Sequence, residues 1–302
     1  MKVWYDKDKL NLEEFKSEKF LFLPLYDDEI LKKDNDFKDN LEWKKEINNF
    51  ITYTEKEDAD VILFHDKLNN EIVDYINESK PVIAFYNDDN DKPINEKIHK
   101  NIFVYRTSMN KSIQKNNEYT LPAWSSDFGQ APIRHKSKWI PGFPEKVVSF
   151  CGALTHPDRK KCVDQLSKNT NIRTNFIIRN AFWGGNPHDK TIRQEYIENL
   201  KSCDFVLCCR GAGNFSYRLY ETLSVGRIPI IIDTDNTLPC DDVIDWNKFI
   251  ITTPDNINAD IEEWWGSIDD NEYKSRQEYS REVYDNFIKP SGFAKYLGGK
   301  KW

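Results

Sequence analysis
With 302 residues, 39% hydrophobic, 14% aromatic and 31% charged, the chain has the make-up of a folded globular protein, neither disordered nor fibrous, and it is long enough for two cores of roughly 130 to 150 residues each. A formal net charge of -7 argues against nucleic acid or an anionic membrane as main partner, so any anion site must be a local cluster of arginines. Six cysteines without C-x-x-C spacing, most of them in apolar strand-like runs, predict buried free thiols in a reducing compartment.

The N-terminus opens MKVWYDKDKL with no apolar signal region, and no apolar run approaches the roughly 20 residues of a membrane span. A cytoplasmic protein without a membrane span is expected, in the host cytoplasm if the source is viral. Oligomeric state is left open. Apolar runs at 61–64, 82–85 and 102–105, with helix patterns at 41–51 and 70–78, predict an open α/β lobe. Between 121 and 144 the pattern dissolves into LPAWSSDFGQAPIRHKSKWIPGFP, with four of the 13 prolines, which places an interdomain linker there. A second alternation follows: strands at 147–150, 175–178, 205–208, 228–232 and 249–251, and helices at 159–166, 191–200 and 215–225. A charged, aromatic helix pattern closes the chain over 269–287. The expected domains are 1–135, 145–265 and a C-terminal helix within 266–302 packing back on the first.

The run CDFVLCCRGAGNFSYRLYETLSVGRIPIIID from Cys203 to Asp233 carries the chemistry. A strand buried on both faces leads into Arg210, Gly211, Ala212, Gly213 and Asn214, at the rim where open α/β sheets bind ligands. The glycines let backbone amides approach a ligand, and the following helix, capped by Asn214 or Ser216, offers unpaired N–H groups to a phosphate. Arg210 and Arg218 add full charge in planar forks. Glu221, three residues after Arg218, is either an acceptor for sugar hydroxyls or the partner of an intrahelical ion pair. Gly211-x-Gly213-x-x-Ser216 with Asp233 beyond it also approximates a dinucleotide fingerprint, which keeps an NAD-dependent oxidoreductase as an alternative. Against it stand the arginine before the first glycine and the late position of this unit in its lobe. No G-x-x-x-x-G-K-[ST] occurs, so a Walker-type NTPase is unsupported.

The stretch from Phe205 to Trp246, FVLCCRGAGNFSYRLYETLSVGRIPIIIDTDNTLPCDDVIDW, resembles the C-terminal part of exostosin-like (GT47-type) glycosyltransferases. It has the same order of Arg-Gly turn, Ser-x-Arg-Leu-x-Glu helix, Gly-x-x-Pro strand and Leu-Pro…Asp-Trp tail. Ser149-Phe-Cys-Gly-Ala-Leu154 followed by Arg159, and Arg106-Thr-Ser108 with Leu121-Pro-Ala-Trp124 and Asp127, resemble a microbial or viral branch. The resemblance implies a GT-B fold of two Rossmann-like doubly wound domains facing a cleft, an acceptor-binding N-terminal domain and a donor-binding C-terminal one. It also implies an inverting hexosyl- or pentosyltransferase that moves a sugar from a nucleotide sugar, taken to be a UDP-sugar, to a glycan hydroxyl. On this length the chain is expected to be without the membrane anchor, stem and second transferase domain of the animal heparan-sulfate enzymes. Their activity is not carried over. A catalytically inactive glycan-binding protein and a phosphorylase or sugar-phosphate synthase of the same shape stay open as alternatives.

Inverting transfer needs a base for the acceptor hydroxyl and positive charge for the departing nucleoside diphosphate. Arg210 and the amides of the turn supply the charge, with Gly152, Arg159 and Arg218 as further donor-site candidates and Glu221 or Asp235 for hydroxyls. No cofactor is expected beyond the nucleotide sugar, which is a substrate, and no metal. Asp233-Thr-Asp235 has the letters of a metal clamp, but beside arginines it reads as a hydroxyl binder. Candidates for the base are His65, Asp66, Asp88, Asp89 and Asp127; Asp127 is preferred because the resemblance includes its surroundings. His135, His156 and His188 form no ligand-spaced cluster, and Trp124, Trp183 and Trp246 fit either core packing or sugar stacking.

Overall fold
In the computed structural model the described residues are 1–7, 17–33, 40–65, 79–94, 101–124, 147–186 and 189–302. They divide into two compact units, one of Met1–Gln130, Asp235–Asp242 and Tyr284–Trp302, the other of Ala131–Thr234 and Val243–Val283.

The sheet of the first unit contains β1 (Lys2–Trp4), β2 (Thr52–Tyr53), β3 (Val61–His65), β4 (Val82–Tyr86), β5 (Ile102–Arg106) and β6 (Glu118–Thr120). Its strands are all parallel, in the order β2-β1-β3-β4-β5-β6. Alternation along the strands sends Ile62, Phe64, Val82, Ala84, Ile102 and Val104 to one buried face, where Ile94 and Trp4 join them. The opposite face is aromatic: Phe85 lies 6.0 Å from Tyr105 and 6.3 Å from Phe22. The C-terminal helix Pro290–Gly299 adds Phe293, edge-on to Tyr105 at 5.7 Å. Trp124 packs its ring on Phe293 and donates Nε1–H to the Ile288 carbonyl at 2.6 Å, which makes it a packing residue of this unit.

The second sheet contains β7 (Val147–Ala153), β8 (Arg173–Arg179), β9 (Phe205–Cys208), β10 (Ile228–Ile232) and β11 (Ile250–Thr252). It is parallel too, in the order β11-β10-β9-β7-β8. β9 and β10 are apolar and buried throughout, as a central parallel strand covered on both sides must be. Phe205 meets Trp264 and Trp265, each at 5.4 Å, and Tyr273 at 5.9 Å, and Trp246 is buried beside Phe249. The six cysteines are buried and unpaired, with the Cys203 and Cys208 thiols pushed up to about 12 by burial.

Both units are α/β with a parallel sheet whose strand order reverses beside its first strand, the doubly wound, Rossmann-like arrangement. In the second, the chain steps from β7 outward to β8 and then returns to the other side of β7 to form β9. This reversal leaves a crevice beyond the carboxyl ends of β7 and β9, the place where open α/β sheets hold ligands.

Candidate functional site
The crevice is built from two strand ends and two arginines. Helix Pro157–Lys168 starts after the turn that follows β7, with proline in its first turn and the His156 imidazole accepting from the Asp158 amide. That start carries Arg159 back over the sheet. Its Nη1 donates to the Ala153 carbonyl at 2.9 Å and its Nη2 to the Cys209 carbonyl at 3.1 Å, so one guanidinium ties the end of β7 to the end of β9. Arg218, on helix Tyr217–Ser224, donates Nη2 to the Cys151 carbonyl at 2.7 Å. The Phe150 ring serves both, with the Arg218 guanidinium over it at 4.5 Å and that of Arg159 at 5.6 Å.

The electrostatics of this pair call for an anion. Arg159 is only 6% exposed, and burial together with the nearby Arg218 charge pushes its pKa down to about 10. Burial also works against the Arg218 charge, but Tyr196, Cys208 and Glu221 outweigh it and hold its pKa above the ordinary value. The Nε atoms of both arginines are buried without a hydrogen-bond partner. The cost of this arrangement falls on Arg159, whose charge is disfavoured by burial and by Arg218, and a phosphate or diphosphate would relieve it.

The glycine turn is fixed from below. Asn214 is buried, and its amide donates to the Thr234 carbonyl at 2.9 Å while the Thr234 hydroxyl donates back to Asn214 Oδ1 at 2.7 Å. Asn214 therefore locks the turn to the end of β10, and Ser216 holds the N-cap position without a side-chain cap bond. The Gly211 amide donates to the Phe215 carbonyl at 3.2 Å, and Arg210 donates Nη2 to the Ala212 carbonyl at 3.2 Å within the same turn as Gly213. A Cβ at Gly152 would stand 2.9 Å from Arg218 Nη2, so a side chain there would displace the guanidinium. Glu221 is buried and takes the hydroxyl of Tyr196, with Arg193 Nη2 at 3.6 Å. Of the expected site residues, Gly152, Arg159, Gly211 and Arg218 are thus gathered around one crevice. Phe150 and Tyr196 belong there as well and were not read from the sequence; the only signal was an aromatic residue two positions before Gly152.

Asp235 belongs to the first unit, in a left-handed conformation with φ 65, and its carboxylate accepts from the Ser112 amide at 3.1 Å and from the Ser112 hydroxyl. Asp233 is at the end of β10 in the second unit. Among the described residues no group of three His, Cys, Asp or Glu side chains is arranged to hold a metal ion. Asp88 follows β4 and accepts from the Tyr86 hydroxyl at 3.3 Å and the Asn90 amide at 3.2 Å. His65 ends β3 with its ring edge-on to Phe22 at 5.8 Å. Asp66, Asp127, His135 and His188 lie outside the described residues, as do the helix expected at 70–78, the linker between 125 and 146 and the side chain of Trp183.

The chain is 33% identical over 102 residues to the Exostosin-1 homolog of Caenorhabditis elegans, a match covering 34% of this chain and 27% of that protein. It thus spans about a quarter of that relative. Among solved structures it is similar to TarM, at 13% identity and a TM-score of 0.40 over 87% of this chain and 59% of that one. It is also similar to an α1,3-fucosyltransferase, at 14% identity and a TM-score of 0.36 over 92% and 80%. The family described as the Exostosin GT47 domain matches residues 55–263, which take in β3 to β11 and every residue of the crevice. With more than half of its length matched, the chain belongs to the exostosin GT47 family of glycosyltransferases.

Proposed function
We propose that the protein is an inverting glycosyltransferase that moves a sugar from a nucleotide sugar, a UDP-sugar in the first instance, to a glycan hydroxyl. The observation that carries this reading is the Arg159–Arg218 pair at the crevice between β7 and β9. Its charge matches a diphosphate that gains negative charge as the sugar leaves. Arg210 and the amides from Gly211 to Asn214 extend the same anion site. Two arginines supply the neutralisation that a divalent cation gives in other transferases, which favours metal-independent transfer. Asp88 and Asp127 are the proposed acceptor bases. Six unpaired cysteines fit a reducing, cytoplasmic setting, and the microbial or viral branch rests on the Arg106-Thr-Ser108 and Ser149–Leu154 stretches alone.

The NAD reading is weaker in physical terms. Ser216 takes the place of the third glycine, and buried arginines stand where the fingerprint relies on the helix terminus and backbone amides. A panel of nucleotide sugars tests the proposal, with release of nucleoside diphosphate followed with and without a glycan acceptor and with and without EDTA. The expected result is acceptor-stimulated release from one donor class, unchanged by EDTA, with the new anomeric bond inverted by NMR. Turnover that EDTA abolishes and a metal restores would refute the metal-independent scheme.

A further inference from the structure
Tyr196 has no part in the nucleotide-sugar scheme above, yet it meets Arg218 with its ring and Glu221 with its hydroxyl. It belongs to helix Lys190–Lys201, which is started by the Asp189 carboxylate accepting from the Thr191 amide at 2.8 Å and the Ile192 amide at 3.3 Å. One helical turn of Arg193 and Tyr196 faces the Arg218 helix. The Arg193 guanidinium lies over the Tyr196 ring at 4.9 Å and that of Arg218 over the same ring at 5.9 Å. The Tyr196 hydroxyl donates to Glu221, three residues along from Arg218. The phenol thus touches the helix of Arg218 twice, through its ring at the cation and through its hydroxyl at the carboxylate.

This contact adds a restraint to the Arg218 cation from a second helix. Of the donors of Arg218, Nη2 is bonded to the Cys151 carbonyl and Nε is buried without a partner. The plane of the guanidinium is therefore set mainly by the rings beside it, Phe150 and Tyr196. Phe150 is fixed in β7, whereas Tyr196 comes from a separate helix and is pinned by its own hydrogen bond. A side chain preorganised in this way presents its fork to an incoming phosphate without paying ordering entropy at binding.

Resting on the nucleotide-sugar reading, we propose that Tyr196 is a positioning residue that holds Arg218 for the diphosphate of the donor. Its effect is on the diphosphate and not on the nucleoside. The test compares Tyr196→Phe, which keeps the ring and loses the hydroxyl, with Tyr196→Leu, which loses both, by calorimetric titration of each with UDP and with uridine. UDP affinity is expected to fall about threefold for Phe and about tenfold for Leu, the range of a cation–π contact and one hydrogen bond, with uridine affinity unchanged. In turnover the loss appears in kcat/KM of the donor and reaches kcat, because the same cation meets the charge that develops on the leaving diphosphate. Should the Leu variant not fold, the isosteric Phe variant decides by the same comparison. The proposal is overturned if a folded variant binds UDP as the wild type does, or loses UDP and uridine in parallel. A wild-type chain that binds no UDP defeats the proposed function itself, whereas a UDP-binding wild type with unaffected variants defeats only the role of Tyr196.

Discussion
At the scale of single residues, the unusual group is Arg159. An ordinary arginine keeps its proton far beyond the alkaline range of most proteins, but this one sits at about 10, first because it is buried and then because Arg218 repels it. Loss of that proton removes half of the charge pair. Anion affinity should therefore hold steady through neutral and mildly alkaline pH and drop as pH rises past about 10, by at most about tenfold per pH unit. Sulfate is a suitable probe because it does not titrate in this range. Its dissociation constant at pH 8.5 and at pH 10.5 gives the comparison, and equal affinity at the two would show that Arg159 does not bear on the site. The linkage to stability has the opposite sign. A native pKa below the unfolded one means that the unfolded chain binds more protons above pH 10, so this group adds stability as pH rises through that window.

At the scale of elements, the stretch Arg106-Thr107-Ser108, part of the family resemblance, is a strut of the first unit. Arg106 and Glu118 form a buried pair at 3.6 Å with each side chain 1% exposed. Arg106 Nη2 also donates to the carbonyls of Asn90 at 2.6 Å and Lys92 at 3.0 Å. Thr107 and Ser108 donate their hydroxyls to the carbonyls of Asp88 and Asp89, so the end of β5 holds the whole loop that follows β4. Arg106→Met should cost about 3–5 kcal/mol, because it leaves the Glu118 carboxylate buried without its counter-charge, held only by the Lys115 amide at 3.0 Å, and adding Glu118→Leu should recover most of that. Urea unfolding followed by circular dichroism measures both; a single variant as stable as the wild type would mean that the pair is not needed.

The same scale explains what could be read in advance. The runs at 61–64, 82–85, 102–105, 205–208 and 228–232 are long enough and apolar enough to declare themselves as buried parallel strands. β1, β2 and β6 have two or three residues each, too few for any period, and they exist because longer neighbours offer free edges. The helix expected over 269–287 runs from Asp270 to Val283, becomes a π turn over Tyr284–Ile288 and restarts at Pro290. The cause is Pro290, whose ring bars its predecessor from the helical region, and Lys289 is extended at φ -57 and ψ 153. Arg159 and Arg218 were legible because arginine near a glycine turn is rare chemistry. Phe150 and Tyr196 were not, since an aromatic residue reads as core until a distant helix brings a cation to it. Glu221 and Asp235 were legible as carboxylates but not as partners of Tyr196 and Ser112, which lie 25 and 123 residues away.

At the scale of the whole molecule, the chain is not two consecutive domains. After β10 it enters the first unit for Asp235–Asp242, returns to the second for Val243–Val283 and ends in the first with Tyr284–Trp302. Arg159, Arg218, Phe150, Gly152, Tyr196 and Gly211 all reside in the second unit. Titrating the chain with UDP and with NAD side by side by calorimetry tests this account most directly. Saturable UDP binding that Arg218→Ala weakens by at least about tenfold, with no binding of NAD, is the predicted result. Binding of NAD alone, or UDP binding indifferent to Arg218, would contradict it.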